Sequence, residues 1–410
     1  MKGLTPLLAP YSLETFLAQY WGQQGLKLEA PDRTRFQHLF GWAQLNELLN
    51  YHDKPHPHFR LASDKKVLDA SANDDFLKHC RNGATLIIDG VHKKIPAIAE
   101  LASAVQYELG LGHSAQVNAY CSWSGKQGFD RHYDTHEVFI LQIEGSKEWF
   151  VFDDTVGHPL AGSQTLPEQA PQGEPYIHTT LEPGDLLHIP RGHWHYALAQ
   201  QEPSIHLTLG VRCHTGVDLV DWLKQELQQE PAWRQNLPPG TTELDSATLA
   251  RYVDELAERL KARLASPTLS SEYADYLASQ QSPFCNYSVP YQVGFGLDQI
   301  GPETVFNRPR YQRTFVTFLP EQGKHKIRCG RSEIKLKGVP RTFLDSVLGS
   351  DRFSGQDAWN WLPDYDWASE VQPLLAYLVR EGVIAIERLG VSPSSDGAPA
   401  QALASQASQE

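Results

Sequence analysis

Long apolar runs are missing from this 410-residue chain. No stretch of about 20 apolar residues occurs, so no helical membrane span is expected. The opening "MKGLTPLLAPYSLETF" lacks the apolar run and small-residue cleavage site of a signal peptide. Cysteine is scarce. Cys80, Cys121, Cys213, Cys285 and Cys329 are scattered singly, with no CxxC pair. That excludes a disulfide framework and a Cys-rich zinc site, and it points to the cytoplasm with reduced thiols. Positive charge is in deficit, with 36 Lys and Arg against 49 Asp and Glu, a net charge of −13. Such a surface repels phosphate backbones at long range and favours basic protein segments, while leaving room for a local basic patch. No internal repeat is visible.

What is present is enough apolar residue, 41%, to bury a substantial core in two or three domains. Residues 11–50 read as helical: Ser12 is a plausible N-cap, and Phe16, Leu17 and Tyr20 recur at helical spacing. From about 84 to 214 the texture changes to short β-branched and aromatic runs, "ATLIIDG", "AQVNAYCSW", "EVFILQI", "KEWFVFD", "DLLHIP" and "SIHLTLGV", interrupted by one helix, "AIAELASAVQYELG". Many short strands between Gly, Pro and Asp turns argue for a β-sandwich or barrel. Residues 215–281 return to amphipathic helix, with Ser246 a plausible cap. Residues 282–390 are mixed, with a helix followed by a strand in a weakly winged-helix-like pattern. Residues 391–410 have little apolar bulk and read as a disordered tail.

The sequence "FDRHYDTHEVFILQIEGSKEWFVFDD" places His132 and Asp134 two residues apart at the mouth of an apolar strand. Residues i and i+2 of a strand share a face, so one imidazole and one carboxylate can grip one side of a metal ion. A third ligand comes from "PGDLLHIPRGHWH", which fits the second metal-binding signature of the cupin barrel: Gly184, five residues, Pro190, Gly192, then His195. Pro and Gly reverse the chain so that His195 starts the next strand facing inward. Either motif alone is common; both in this order within an all-β stretch read as a metal site. Two histidines and one carboxylate leave much of the coordination sphere open, as in non-haem Fe(II) enzymes. His136 and His193 are the alternative ligands, while His188, His206 and His214 read as ordinary strand residues.

Gly145-Ser146 reads as a two-residue hairpin turn, after which Lys147 opens the return strand. Lys147 is either a surface residue or a cation inside the barrel among Trp149, Phe150 and Val151, where it needs an anionic partner.

These segments closely resemble the JmjC-domain ribosomal oxygenases, a cupin-like branch of the Fe(II)- and 2-oxoglutarate-dependent oxygenases. The resemblance is clear over residues 11–214. It extends to "FLAQYWGQQGLKL", where Gly25-Leu26-Lys27 departs from the basic run of the family. It implies a mixed fold: a double-stranded β-helix (jelly roll) with N-terminal helices over 1–214, a helical dimerisation region over 215–281 and a winged-helix-like domain over 282–390. It implies that His132, Asp134 and His195 hold Fe(II), and that Lys147 pairs with the distal carboxylate of 2-oxoglutarate. It also places Asn118 near the co-substrate or metal, and Thr208 where its hydroxyl supports the same carboxylate. Tyr120 and Trp123 are candidates for the pocket wall, though both also suit a core. The implied reaction uses O₂ and 2-oxoglutarate to hydroxylate a protein side chain, an Arg or His of a basic ribosomal protein. The alternatives are N-methyl demethylation by the same chemistry, a metal-binding cupin acting without 2-oxoglutarate, and a non-catalytic adaptor. The basic run Lys324 to Lys337 reads as a solvated face, and nucleic-acid binding is not expected as a main role.

Overall fold

The computed structural model describes residues 3–123, 128–237, 245–280, 287–329 and 332–390. The chain divides into two compact units, Met1–Phe284 and Cys285–Glu410. The tail at 391–410 and Cys285 lie outside the described residues. Among the described residues no helix is long and apolar enough to cross a membrane, and Cys80, Cys121, Cys213 and Cys329 are free thiols.

The first unit holds twelve strands: β1 (Leu26–Leu28), β2 (Phe59–Ser63), β3 (Lys66–Val67), β4 (Thr85–Ile88), β5 (His113–Ser122), β6 (His132–Tyr133), β7 (Glu137–Glu144), β8 (Lys147–Asp154), β9 (Ile177–Leu181), β10 (Leu186–Ile189), β11 (His193–Ala199) and β12 (Ser204–Cys213). They form an eight-stranded sheet, order β1-β10-β7-β12-β5-β4-β2-β3, and a four-stranded sheet, order β6-β11-β8-β9. All pairings are antiparallel. Alternation along the strands splits the side chains between two cores. Val117, Ala119, Phe139, Leu141, Leu207 and Leu209 point outward from the large sheet, under a cover that includes Leu4, Leu7, Phe16, Leu45, Leu101 and Val105 of the helices α1 (Leu4–Leu8), α2 (Leu13–Gln19), α3 (Trp42–Tyr51) and, after α4 (Phe76–Arg81), α5 (Pro96–Leu109). Val138, Ile140, Leu187 and Ile189 point the other way and meet Trp149, Val151 and Leu181 of the small sheet. The space between the sheets is therefore a lumen, as in a jelly roll.

Ser12 caps α2 as expected, its Oγ accepting from Thr15 N at 3.1 Å. The Gly145-Ser146 turn differs from expectation. It joins β7 of the large sheet to β8 of the small one, so it is a corner between sheets and not a hairpin. Gly145 has φ 59°, and a Cβ there would run into the Pro203 carbonyl. The corner makes Lys147 the first residue of the small sheet.

Three helices follow β12: α6 (Gly216–Leu227), α7 (Asp245–Leu264) and α8 (Leu269–Gln280). Thr215 and Asp218 close a capping box at the start of α6. Ser246 lies inside α7, one residue past its start, and is not its N-cap. The second unit holds the sheet β13 (Val305–Asn307), β17 (Arg352–Ser354), β18 (Ala385–Arg388) and the meander β14 (Thr314–Leu319), β15 (Lys324–Cys329), β16 (Ser332–Lys337). With helices α9 (Arg341–Gly349), α10 (Gly355–Asn360) and α11 (Gln372–Arg380) they enclose a separate core around Phe306, Phe343, Leu375 and Leu378.

Candidate metal centre

His132 and His195 are direct cross-strand partners where the short β6 pairs with β11. Their rings lie 4.5 Å apart between centroids. Asp134 follows β6 in the bend before β7, and one ligand atom from each of the three lies within 4.8 Å of the others. The two motifs are tied through the backbone, because Gly192 N–H donates to the Asp134 carbonyl at 2.9 Å. On the opposite face of β6, Tyr133 packs edge-on against Trp194 at 5.1 Å and anchors the strand.

The proton positions follow from the neighbours. His132 Nδ1 donates to the Asp130 carbonyl at 2.8 Å, and His195 Nδ1 donates to the His193 carbonyl at 3.1 Å. Carbonyls only accept, so each neutral ring carries its proton on Nδ1 and keeps a lone pair on Nε2. His195 Nε2 faces Asp134 Oδ2 at 3.6 Å. Burial, then the neighbouring His132, push His195 down to about 4, so it is neutral near pH 7. Burial pushes the Asp134 carboxyl up, but His136, His195 and His132 outweigh it and hold the group ionised. Two imidazoles and one carboxylate thus bring one ligand atom each to a common point. That donor set fits a divalent transition metal, with the backbone fixing each ring as an outer shell does.

The lumen continues from this point towards Lys147. His195 pairs with Val151 on β8, and Lys147 lies four residues earlier on the same face. The lysine is 8% exposed. Its Nζ donates to Ser122 Oγ at 3.0 Å, and Ser122 in turn shares a hydrogen bond with Thr85 Oγ1 at 3.2 Å. Among the described residues no carboxylate lies within ion-pair reach of Nζ. Burial lowers the ammonium to about 8. Asn118 and Thr208 are register partners on β5 and β12. They share the parity of Ser122 and His206 and so face the same lumen. Asn118 Oδ1 accepts from Gly90 N–H at 2.9 Å, and the same side chain interacts with Tyr120.

The description "JmjC domain" fits residues 93–219, a span that contains His132, Asp134, His195, Lys147, Asn118, Ser122 and Thr208. Ribosomal oxygenase 2 of Rattus norvegicus is 28% identical over 322 residues, covering 72% of this chain and 66% of the relative. A bifunctional lysine-specific demethylase and histidyl-hydroxylase NO66 of Dictyostelium discoideum is 29% identical over 232 residues, covering 50% and 42%. Among solved structures, the Escherichia coli ribosomal oxygenase YcfD in complex with cobalt and 2-oxoglutarate superposes with a TM-score of 0.57 at 19% identity, covering 92% of this chain and 99% of that one. Residues 93–219 are a JmjC domain, and the chain is similar to ribosomal oxygenases in sequence and in fold. It spans less than two thirds of the length of the curated relatives it matches.

As a ribosomal oxygenase relative, the chain separates its histidines clearly. His136 sits outside the ligand cluster because β6 ends at Tyr133, and its ring packs over Gly210. His193 is engaged by Tyr176 Oη at 2.8 Å. His188 donates from Nε2 to buried Glu137 at 2.9 Å and serves the core. His214 lies 4.0 Å from Asp218. His206 is not an ordinary strand residue. It is 2% exposed, stacks on Tyr120 at 4.9 Å, meets Trp149 edge-on, and leaves Nδ1 without a partner. Burial, with Lys147 nearby, holds it well below its usual value and neutral. Tyr120 therefore lines the lumen, whereas Trp123 stacks on Trp42 in the outer core. Ser122, Thr85 and His206 were not singled out from the sequence, yet strand parity with Asn118 and Thr208 marks Ser122 and His206.

Proposed function

We propose that this chain is an Fe(II)- and 2-oxoglutarate-dependent oxygenase that hydroxylates a protein side chain, an Arg or His of a ribosomal protein. The observation that carries the reading is a pair of sites on one face of the small sheet. One is a His-Asp-His donor set; the other is a buried cation with no carboxylate partner among the described residues. Their backbones are four residues apart along β8, about 13 Å at 3.3 Å per residue. A short dicarboxylate reaching from a metal to the end of a lysine side chain suits that spacing. YcfD has been solved with such a dicarboxylate, 2-oxoglutarate, and with cobalt.

His132 Nε2, His195 Nε2 and an Asp134 oxygen are the atoms that would hold a divalent iron, and three protein ligands would leave it open to a co-substrate. The iron, when bound, supplies the oxidation that couples 2-oxoglutarate decarboxylation to insertion of oxygen into a C–H bond. The Asp130 and His193 carbonyls keep both imidazoles in the ligating tautomer. Lys147 orients the distal carboxylate, with Ser122 and Thr85 steadying the ammonium and Thr208 near the same end. Asn118 lines the wall beside the metal. Val138, Ile140, Trp149 and Leu187 keep the lumen apolar and exclude water.

The names of the relatives, ribosomal oxygenase and histidyl-hydroxylase, support a ribosomal target. The acidic balance of the chain suits a basic substrate segment. The same proposal includes a catalytic domain over 1–214, a homodimer through the helices of 215–281, a winged-helix-like domain over 282–390 and a cytoplasmic setting. The demethylase part of the NO66 name keeps N-methyl removal as a second outcome. Released formaldehyde distinguishes it from a stable hydroxyl.

The test is succinate formation from 2-oxoglutarate with Fe(II) by the full chain, alone and with ribosomal protein extract, beside His132→Ala. Mass spectrometry of the extract should find one added oxygen on an Arg or His. A wild type that never consumes 2-oxoglutarate, or that turns over a small metabolite without it, sinks the reading.

A further inference from the structure

One buried polar atom on the lumen wall is left without a partner. His206 of β12 is 2% exposed, and its Nδ1 makes no hydrogen bond among the described residues. An orphaned buried nitrogen is costly, so an imidazole kept there calls for a partner. Burial, then the nearby Lys147, hold the ring well below its usual value, so it is neutral and carries a single N–H. The ring is also clamped. It stacks almost parallel on Tyr120 at 4.9 Å and meets the edge of Trp149 at 5.4 Å.

Register places the ring along the lumen. Between β12 and β5, Ser204 stands opposite Ser122, His206 opposite Tyr120 and Thr208 opposite Asn118. Successive pairs of this parity are about 6.6 Å apart at 3.3 Å per residue. Ser122 marks the lysine end, because its Oγ accepts from the Lys147 ammonium. His206 is therefore one step from that end and Thr208 two. On the small sheet, Trp149 follows Lys147 by one step and precedes Val151, the partner of His195, by another. Lys147 Nζ lies 5.8 Å from the Trp149 ring centroid, so the ammonium and the His206 ring both border the same indole.

A carboxylate has two oxygens, and each needs a donor once it is taken out of water. Lys147 reaches one of them from the small sheet. We infer that His206 is a second anchor for the distal carboxylate of 2-oxoglutarate, its Nδ1–H donating from the large sheet to the oxygen that Lys147 leaves free. The inference rests on the oxygenase reading above and adds to it a two-sided grip that selects a dicarboxylate over a keto acid lacking the far carboxylate. The rival role is structural. Gln142 of β7 is the other register partner of His206, and its Oε1 is unpartnered as well. A hydrogen bond between these two side chains would serve the sheet and touch no ligand.

The experiment is calorimetric titration of the Co(II)-loaded full chain with 2-oxoglutarate and with 2-oxopentanoate, which keeps the keto acid and lacks the distal carboxylate. His206→Phe retains the stack on Tyr120 and removes both nitrogens; His206→Leu serves if the larger ring does not fold. Either should bind 2-oxoglutarate about 10–100-fold more weakly, the usual loss for one hydrogen bond to a charged group. Affinity for 2-oxopentanoate and for Co(II) should stay as in the wild type. His206→Asn, whose amide can donate from near the place of Nδ1, should restore most of the loss. In turnover the Phe variant should raise KM for 2-oxoglutarate and keep kcat. Unchanged 2-oxoglutarate affinity in a folded Phe or Leu variant overturns the inference, and a drop in urea stability beside it assigns His206 to Gln142 and the sheet. Equal weakening of both keto acids overturns it in favour of a role at the metal end. Failure of the Asn variant to recover binding overturns it in favour of packing. A wild type that binds neither keto acid overturns the oxygenase reading along with it, whereas any other adverse result leaves that reading standing.

Discussion

Lys147 in the first unit and Lys326 in the second both sit on strands, one between two sheets and one on a sheet's outward face. Their surroundings make them different reagents. Lys147 is enclosed between two sheets, and burial moves its ammonium from 10.5 to about 8. Lys326 stands on an outward face opposite Lys335, where water screens both charges. An enclosed cation is costly to keep charged and fits one compact dianion of matching shape. An open row of cations is cheap to keep charged. The enclosed lysine is therefore the one suited to a specific small anion.

The largest effect that can break this contrast lies at the metal end of the lumen. His195→Ala or Asp134→Ala should abolish 2-oxoglutarate turnover, well beyond the roughly 10–100-fold penalty of losing an outer-shell partner. Co(II) titration followed by visible absorption should show the site lost in both variants. A variant that still takes up one Co(II) with wild-type affinity removes that residue from the ligand set.

Lys147→Met sharpens the contrast from the other end of the lumen. Losing a charged hydrogen bond to the co-substrate, about 1.5–3 kcal/mol, should raise KM for 2-oxoglutarate about 10–100-fold while Co(II) affinity stays as in the wild type. The ligand-free variant should be more stable, by about 2–3 kcal/mol in urea unfolding near pH 7, because a depression from 10.5 to about 8 reflects the penalty on a buried charge. Lower stability together with an unchanged KM would mean that Lys147 serves only the fold.

The pH dependence is a smaller effect with a definite sign. The free enzyme holds Lys147 protonated below about pH 8, so KM for 2-oxoglutarate should be flat there. Above pH 8 binding must first take up a proton, and KM should rise by up to about tenfold per pH unit. Stability of the ligand-free protein moves the other way. Between about 8 and 10.5 the unfolded chain binds more protons at this lysine than the folded one, so stability contributed here increases with pH across that window. In Lys147→Met both trends should disappear.

How much of this was legible in the chain depended on how local the signal was. The Gly184 to His195 spacing and the His132-x-Asp134 pair identified the three convergent residues, because each motif is a few residues long and the ligand faces follow from strand parity. The strands from 84 to 214 were also readable, since each carries its own β-branched and aromatic run. Pairing between strands was not. The Gly145-Ser146 corner looked like a hairpin because a two-residue turn is the same locally whether the flanking strands share a sheet or leave for different ones. His206 passed for an ordinary strand residue because its neighbours Tyr120, Trp149 and Lys147 come from other strands. The lysines from 324 to 337 read as a solvated face, and which of them stand opposite one another was equally beyond the sequence. Only the β15-β16 register puts Lys326 across from Lys335.

That register supplies the smallest effect, and it can be measured without any ligand. If opposed lysines strain the meander, reversing one of them should relieve it. Lys335→Glu places a carboxylate directly across from Lys326, and opposite-charge pairs of this kind contribute about 0.2–1 kcal/mol. The gain has an opposing contribution, because Lys335 already lies 3.6 Å from Glu333 and the new carboxylate would face it along the strand. The matching change Lys337→Glu, across from Lys324 and one pleat further from Glu333, avoids much of that repulsion and should give the larger gain. Both differences should shrink at high salt. Urea unfolding at low and high ionic strength measures them. A loss of stability in Lys337→Glu at low salt would mean that the opposition of Lys324 and Lys337 does not strain the meander.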